Sequence, residues 1–182
     1  MIRKNLPHID QKNAIQFVTF RTQESVAYYL EKHNINTTDS TSKQQFQQDQ
    51  FLDNSSAGAM LNEEVIPLLL TFFKSKDTNY YHLIAVSVMP NHVHLLFEQL
   101  KPLVEIMQKI KGGSAFSINK HYERTGTIWD RSYFDKIIRT EKQFNVTYQY
   151  IKNNAHRAGL EDADSRFYGI YEEERILKGR GL

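Results

Sequence analysis

The stretch Val86-Ser87-Val88-Met89-Pro90-Asn91-His92-Val93-His94-Leu95-Leu96-Phe97-Glu98 decides how this chain folds. It reads as a buried strand, a tight turn at Pro90-Asn91, and a second strand that opens on His92-Val93-His94. Side chains alternate faces along a strand, so Val93, Leu95 and Phe97 share one face. His92 and His94 share the other with Leu96 and Glu98. Two imidazoles two residues apart point the same way and can reach one metal ion. A hairpin with two incidental histidines on its polar face is the plainer alternative.

Around this hairpin the chain alternates strand and helix patterns. Ile15 to Thr22 is rich in aromatic and β-branched residues and predicts a strand, followed by a short helix over Ser25 to His33. Residues 34–59 are polar, with Thr-Ser and Gln-rich runs, and predict an insertion in which Phe46, Phe51 and Leu52 dock some part as a helix. Leu61 to Lys76 carries Val65, Leu68, Leu69, Phe72 and Phe73 at helical spacing. Tyr80 to Met89 is near-continuously apolar, which suits a central strand. Lys101 to Tyr122 predicts a second long helix, interrupted at Gly112-Gly113 by a kink or by the close approach of a ligand. A strand near Lys136 to Arg139 leads to a third long helix, Glu141 to Ala155. Residues 161–182 predict a charged tail with a weak helix near Tyr171 to Leu177.

On that third helix, at about 100° per residue, Phe144, Tyr148, Ile151 and Ala155 form the buried stripe. Tyr150 and Asn154 are set on the opposite side, one turn apart. The order of elements predicts one α+β domain over residues 1–182, a ferredoxin-like sandwich with helices packed on an antiparallel sheet.

Composition narrows the function. The 182 residues fit one domain with a sizeable core. Cysteine is absent, which rules out disulfides and thiolate metal sites and agrees with a cytoplasmic setting. The chain has no apolar run long enough to span a bilayer, and its first residues lack the apolar core of a signal peptide. A net charge of +2 and a pI near 8.7 permit a nucleic-acid partner without demanding one.

Three ordered motifs carry a resemblance. Met89-Pro90-Asn91-His92-Val93-His94, then Ile128 to Arg139 (Ile-Trp-Asp-Arg-Ser-Tyr-Phe-Asp-Lys-Ile-Ile-Arg), then Tyr150 to Leu160 (Tyr-Ile-Lys-Asn-Asn-Ala-His-Arg-Ala-Gly-Leu) resemble the single-tyrosine transposases of the HUH class. The likeness is to the REP-associated group, which binds hairpin-containing single-stranded DNA, and runs from about Ile15 to Leu160. It implies that His92 and His94 are the metal-binding pair, that Tyr150 is the nucleophile, and that Asn154 completes the metal site. That group usually has proline after this asparagine; here it is Ala155. Trp129, Arg131 and Asp135 match family-typical positions, with Trp129 a packing anchor or a functional side chain.

The chemistry fits the residue types. A divalent ion, Mg²⁺ or Mn²⁺, polarises phosphoryl oxygens, and a histidine-containing site accepts Mn²⁺ readily. A tyrosyl phosphate conserves the phosphoester bond, so strands can be rejoined without ATP. Lys109, Lys111, Arg131, Arg139, Lys152 and Arg157 surround the motif segments and are the candidate phosphate contacts. The implied partner is single-stranded DNA with a hairpin, at the bacterial nucleoid. Relatives include enzymes whose tyrosine serves a partner subunit, so a homodimer stays open. Two other functions also stay open: a non-catalytic single-strand-binding module, and a metal hydrolase in which His92 and His94 activate water.

Overall fold

The computed structural model describes residues 10–34, 51 and 55–171. Five strands form one sheet in the order β4-β1-β3-β2-β5, every pairing antiparallel. They are β1 (Ile15–Arg21), β2 (Tyr81–Val88), β3 (His92–Gln99), β4 (Phe134–Ile138) and β5 (Phe167–Gly169). The α-helices are α1 (Gln23–Lys32), α2 (Val65–Lys74), α3 (Leu103–His121) and α4 (Glu141–Arg157). β1 and β2 both flank β3 and run parallel to each other, so a crossover must join them, and α1 and α2 lie in it. α3 makes the second crossover, from β3 to β4. This is the ferredoxin-like α+β arrangement, with α4 and β5 added after it.

The sheet is buried on both faces. Val18, Phe20, Val93, Leu95 and Phe97 meet α2 and α3 through Leu69, Phe73, Ile106 and Ile110. Phe17, Ile84, Ala85 and Leu96 meet α4 through Tyr148 and Ile151. The successive residues Ile84 and Ala85 belong to the same face because the β2–β3 register shifts between Leu83 and Ala85. That bulge turns Ser87, rather than its neighbours, toward α4 and opposite His94.

Three expectations change. α3 runs unbroken through Gly112-Gly113. Gly113 is there because α2 is close: a Cβ on it would stand 2.5 Å from the Phe72 ring. Residues 163–171 are not a tail. Ala163–Arg166 is a 3-10 turn, and Phe167–Gly169 extends the sheet along β2. Finally, the "polar" face of β3 is covered by α4, so both histidines are fully buried. Of the insertion, Phe51 packs against Tyr28 and Tyr29 on α1 and against His33, which caps that helix. Phe46, Leu52 and the helix near Tyr171 to Leu177, beyond Tyr171 itself, lie outside the described residues.

Arg166 is the main tie of the C-terminal extension. Its guanidinium, almost wholly buried, donates to the carbonyls of Leu61 (2.9 Å) and Val88 (3.0 Å), to Asn62 Oδ1 (2.7 Å) and to Asp162 Oδ1 (2.6 Å). Lysine cannot present such a fork. Arg166→Leu leaves those acceptors unpaired and is expected to lower unfolding free energy by about 3 kcal/mol. Urea denaturation measures this; a loss within about 0.5 kcal/mol would contradict the role.

Candidate active site

The site begins at the Pro90-Asn91 turn. Met89 N–H donates to the His92 carbonyl and closes it, while the Pro90 carbonyl accepts from Met60 and Leu61 N–H. The Asn91 carbonyl accepts from Thr22 N–H, which ties the turn to the end of β1. The Asn91 side chain is fixed as well. Its Nδ2 donates to the carbonyls of Ser55 (3.0 Å) and Ala57 (3.2 Å), which turns Oδ1 toward His92 Nδ1 at 2.7 Å. The end of the insertion therefore buttresses the histidine pair. Gly58 permits the close docking: its φ is +66°, and a Cβ would meet Thr22 Oγ1 at 2.5 Å.

An amide oxygen only accepts, so His92 Nδ1 carries hydrogen and Nε2 offers a lone pair. The two Nε2 atoms are 3.1 Å apart. Without metal, His94 Nε2–H then donates to His92 Nε2, and His94 Nδ1 accepts from Thr19 Oγ1 at 2.7 Å. Moving the His94 proton to Nδ1, where Thr19 Oγ1 can equally accept, frees both Nε2 atoms. Two nitrogen ligands about 2.1 Å from one ion, at a right angle, stand about 3.0 Å apart. The pair as folded fits a shared divalent ion, and each ring has the hydrogen-bonded Nδ1 that metal-binding imidazoles need.

α4 brings Tyr150 and Asn154 to the same face. The Tyr150 ring packs edge-on to His94, centroids 5.3 Å apart, and to Phe17 at 6.2 Å. Asn154 is buried, and its Nδ2 makes no hydrogen bond among the described residues. A buried polar atom left unpaired asks for a reason beyond packing. The expectation that these two side chains lie opposite the core is corrected. They flank the Tyr148–Ile151–Ala155 stripe, and the buried arc of α4 is wide enough to include Asn154. The cause is that α4 covers the sheet over both β2 and β3, so its stripe meets β2 while its flank meets the histidines. Tyr148 is a core residue, as its stripe implies.

Among the described residues no three His, Cys, Asp or Glu side chains converge. Any ion here would rely on the two imidazoles with amide or water oxygens.

The six basic candidates divide. Arg131, Arg139 and Arg157 are exposed, and Lys152 is half-buried on α4. Lys109 is exposed on α3, with its ammonium 5.8 Å from the Tyr80 ring centre, and Lys111 is on α3 too. These two lie across the sheet from the histidines. Lys111 donates to the carbonyls of Asp130 (2.6 Å), Arg131 (3.1 Å) and Ser132 (3.2 Å), and burial pulls its pKa down to about 8. It pins the 130–132 loop. Trp129 is a packing anchor, donating to Ser114 Oγ at 2.9 Å and lying edge-on to Phe20.

Sequence reasoning missed four members of the site face: Thr19, Arg21, Ser87 and the side chain of Asn91. Thr19 and Ser87 both pair with His94 across the sheet, and Arg21 pairs with His92. The signal for two of them was present, since Thr19 and Arg21 alternate with Val18 and Phe20 along β1.

Comparison with known proteins follows this geometry. The profile of the family described as "Transposase IS200 like" matches residues 54–154. The chain belongs to this family. Its fold is similar to that of a REP-associated tyrosine transposase solved bound to a REP hairpin, at 14% identity and a TM-score of 0.50, covering 86% of this chain and 74% of the other. A transposase candidate from Deinococcus radiodurans aligns at 18% identity with a TM-score of 0.47, covering 85% and 98% of the two chains. Among curated proteins no sequence match was found. No helix among the described residues is long and apolar enough to cross a membrane.

Burial, then His92 and Arg21 nearby, hold the His94 pKa well below its ordinary value. The unfolded chain takes up this proton below about pH 6.5 and the folded chain does not. Stability from this residue is therefore complete above pH 6.5 and declines by up to about 1.4 kcal/mol per pH unit on acidification. Metal-free wild type should lose more stability from pH 7 to pH 5 than His94→Gln. Denaturant titrations at both pH values check this; equal losses would contradict it.

Proposed function

We propose that this transposase nicks and rejoins hairpin-containing single-stranded DNA through a covalent 5′-phosphotyrosine intermediate, with Tyr150 as nucleophile. One observation carries the reading. Tyr150 packs on His94 of its own chain, and the two imidazole Nε2 atoms stand at the separation a shared ion would need. That contact within one chain supports action in cis, without a second subunit.

His92 and His94 would hold the ion with Asn154, while Asn91 and Thr19 keep the rings in place. A bound Mg²⁺ or Mn²⁺ would supply charge to the phosphoryl oxygens. The Tyr150 oxygen attacks phosphorus, the bond to the 3′ oxygen breaks, and the phenolic proton passes to solvent. The departing 3′ oxygen takes up a proton to become a free hydroxyl. The same hydroxyl, or that of another strand, attacks the phosphotyrosine to rejoin DNA. Arg131, Arg139, Lys152 and Arg157 are the proposed backbone contacts, with Lys109 farther out. The hairpin-bound relative supports a DNA hairpin as partner.

Tyr150→Phe should keep fold and DNA binding but form no adduct, whereas Tyr148→Phe should retain most activity. The assay is incubation with Mn²⁺ and a labelled single-stranded hairpin, a denaturing gel, and peptide mapping of the adduct. An adduct on Tyr148, or one formed by Tyr150→Phe, would overturn the assignment. Cleavage without any adduct would favour water as nucleophile. Calorimetry with Mn²⁺ should show binding to wild type that His92→Ala and His94→Ala each lose; equal binding in all three would contradict the metal site.

A further inference from the structure

We propose that Ser87 is a specificity-determining residue of the ion site: its hydroxyl holds a water ligand of the ion on the β2 side and so favours six-coordinate Mg²⁺ or Mn²⁺ over Zn²⁺. The inference rests on the ion site at His92 and His94 proposed above, and not on the strand-transfer chemistry.

Strand register fixes the position. Ser87 of β2 pairs directly with His94 of β3. Its neighbours Val86 and Val88 belong to the core against α2 and α3, so Ser87 points the other way, toward α4. Directly paired residues share a face, with Cβ atoms about 5 Å apart. A serine oxygen is one bond beyond Cβ, so the register alone sets the hydroxyl beside His94. Contacts of α4 bracket Ser87 along β2. Ala85, two residues before it, packs in one cluster with Tyr148 and Ile151; Met89, two residues after it, packs with Ala155. Ser87 therefore lies beneath the helical turn from Ile151 to Ala155, which carries Asn154.

Ser87 is fully buried, and its Oγ makes no hydrogen bond among the described residues. His94 is not a partner for it: Nδ1 is engaged by Thr19 Oγ1 at 2.7 Å and Nε2 by His92 Nε2 at 3.1 Å. Asn154 Nδ2, on the same face, is unpaired as well. Buried polar atoms are costly unless something pairs with them. Two of them converging beside an imidazole pair mark a place for a small polar occupant. A water bound to a divalent ion fits, since it can donate to the serine oxygen and accept from an amide N–H.

The ligand supply gives that water its importance. No third His, Cys, Asp or Glu joins the two imidazoles among the described residues. Zn²⁺ is content with four ligands, whereas Mg²⁺ and Mn²⁺ take six and keep several waters. A water fixed by the protein therefore helps the six-coordinate ions most. Tyr150 packs on His94 and Phe17, from the β1 side, and Ser87 is on the β2 side. The held water is thus on the side away from the nucleophile.

Calorimetry with Mn²⁺ and with Zn²⁺ on wild type, Ser87→Ala and His94→Ala tests this, alongside melting of each metal-free protein. Ser87→Ala should bind Mn²⁺ about tenfold more weakly, yet bind Zn²⁺ within about twofold of wild type. Its metal-free melting temperature should be unchanged or higher, because an unpaired buried hydroxyl is gone. His94→Ala should lose both ions. Equal Mn²⁺ affinity in wild type and Ser87→Ala would overturn the proposal and leave the histidine site standing. So would an equal loss for both ions, which would mean that the substitution merely disturbs the imidazoles. Failure of wild type to bind Mn²⁺ would remove the histidine site itself, and the role of Ser87 with it.

Discussion

Two imidazoles fully buried at the centre of a sheet are the constraint on which the rest of this structure depends. Each is a polar group that must be hydrogen-bonded where water is excluded. His92 is satisfied by Asn91 and His94 by Thr19, at 2.7 Å each. Those partners come from the turn and from β1, so the strand register and the turn geometry are fixed by the same bonds that aim the rings. Slipping β1 by one residue would turn Thr19 and Arg21 away and bring Val18 and Phe20 against the histidines. The Asn91 amide carries the constraint further, out to Ser55 and Ala57.

The second requirement is a cover for that face. α4 begins with Thr140, whose Oγ1 accepts from Gln143 N–H while Gln143 Oε1 accepts from Arg139 N–H. This reciprocal cap fixes where the helix starts, directly after β4. Phasing then follows from the apolar stripe, which seats Tyr148 and Ile151 on the sheet. Tyr150 reaches His94 as a consequence of that seating. The 3-10 turn and β5 hold the far side, with Arg166 bonded to Leu61, Asn62 and Val88. A helix carrying the proposed nucleophile is thus clamped at both ends.

Much of this was legible in the chain. The hairpin, its alternation and the three core helices follow from local periodicity, and they lie where the periodicity put them. The histidine pair was legible because two residues of one strand must share a face. What escaped was long-range. Thr19 and Arg21 join the site through pairing across more than seventy residues, which no local pattern encodes. Arg166 looked like one charge among many in a polar segment, yet it is buried because four acceptors converge on it. Lys111 counted as a solvent-facing cation until the 130–132 loop folded back over its ammonium. Asn154 seemed to lie off the core because helical angles describe an isolated cylinder, and the sheet beneath α4 is wider than one stripe.

The central claim is that His92 and His94 form one divalent-ion site facing Tyr150. Crystals grown with Mn²⁺ and measured for anomalous scattering test it most directly. The account predicts a single strong peak within bonding distance of both Nε2 atoms, beside the Tyr150 side chain of the same chain. A peak elsewhere, or none at millimolar Mn²⁺ with both rings in place, would contradict it.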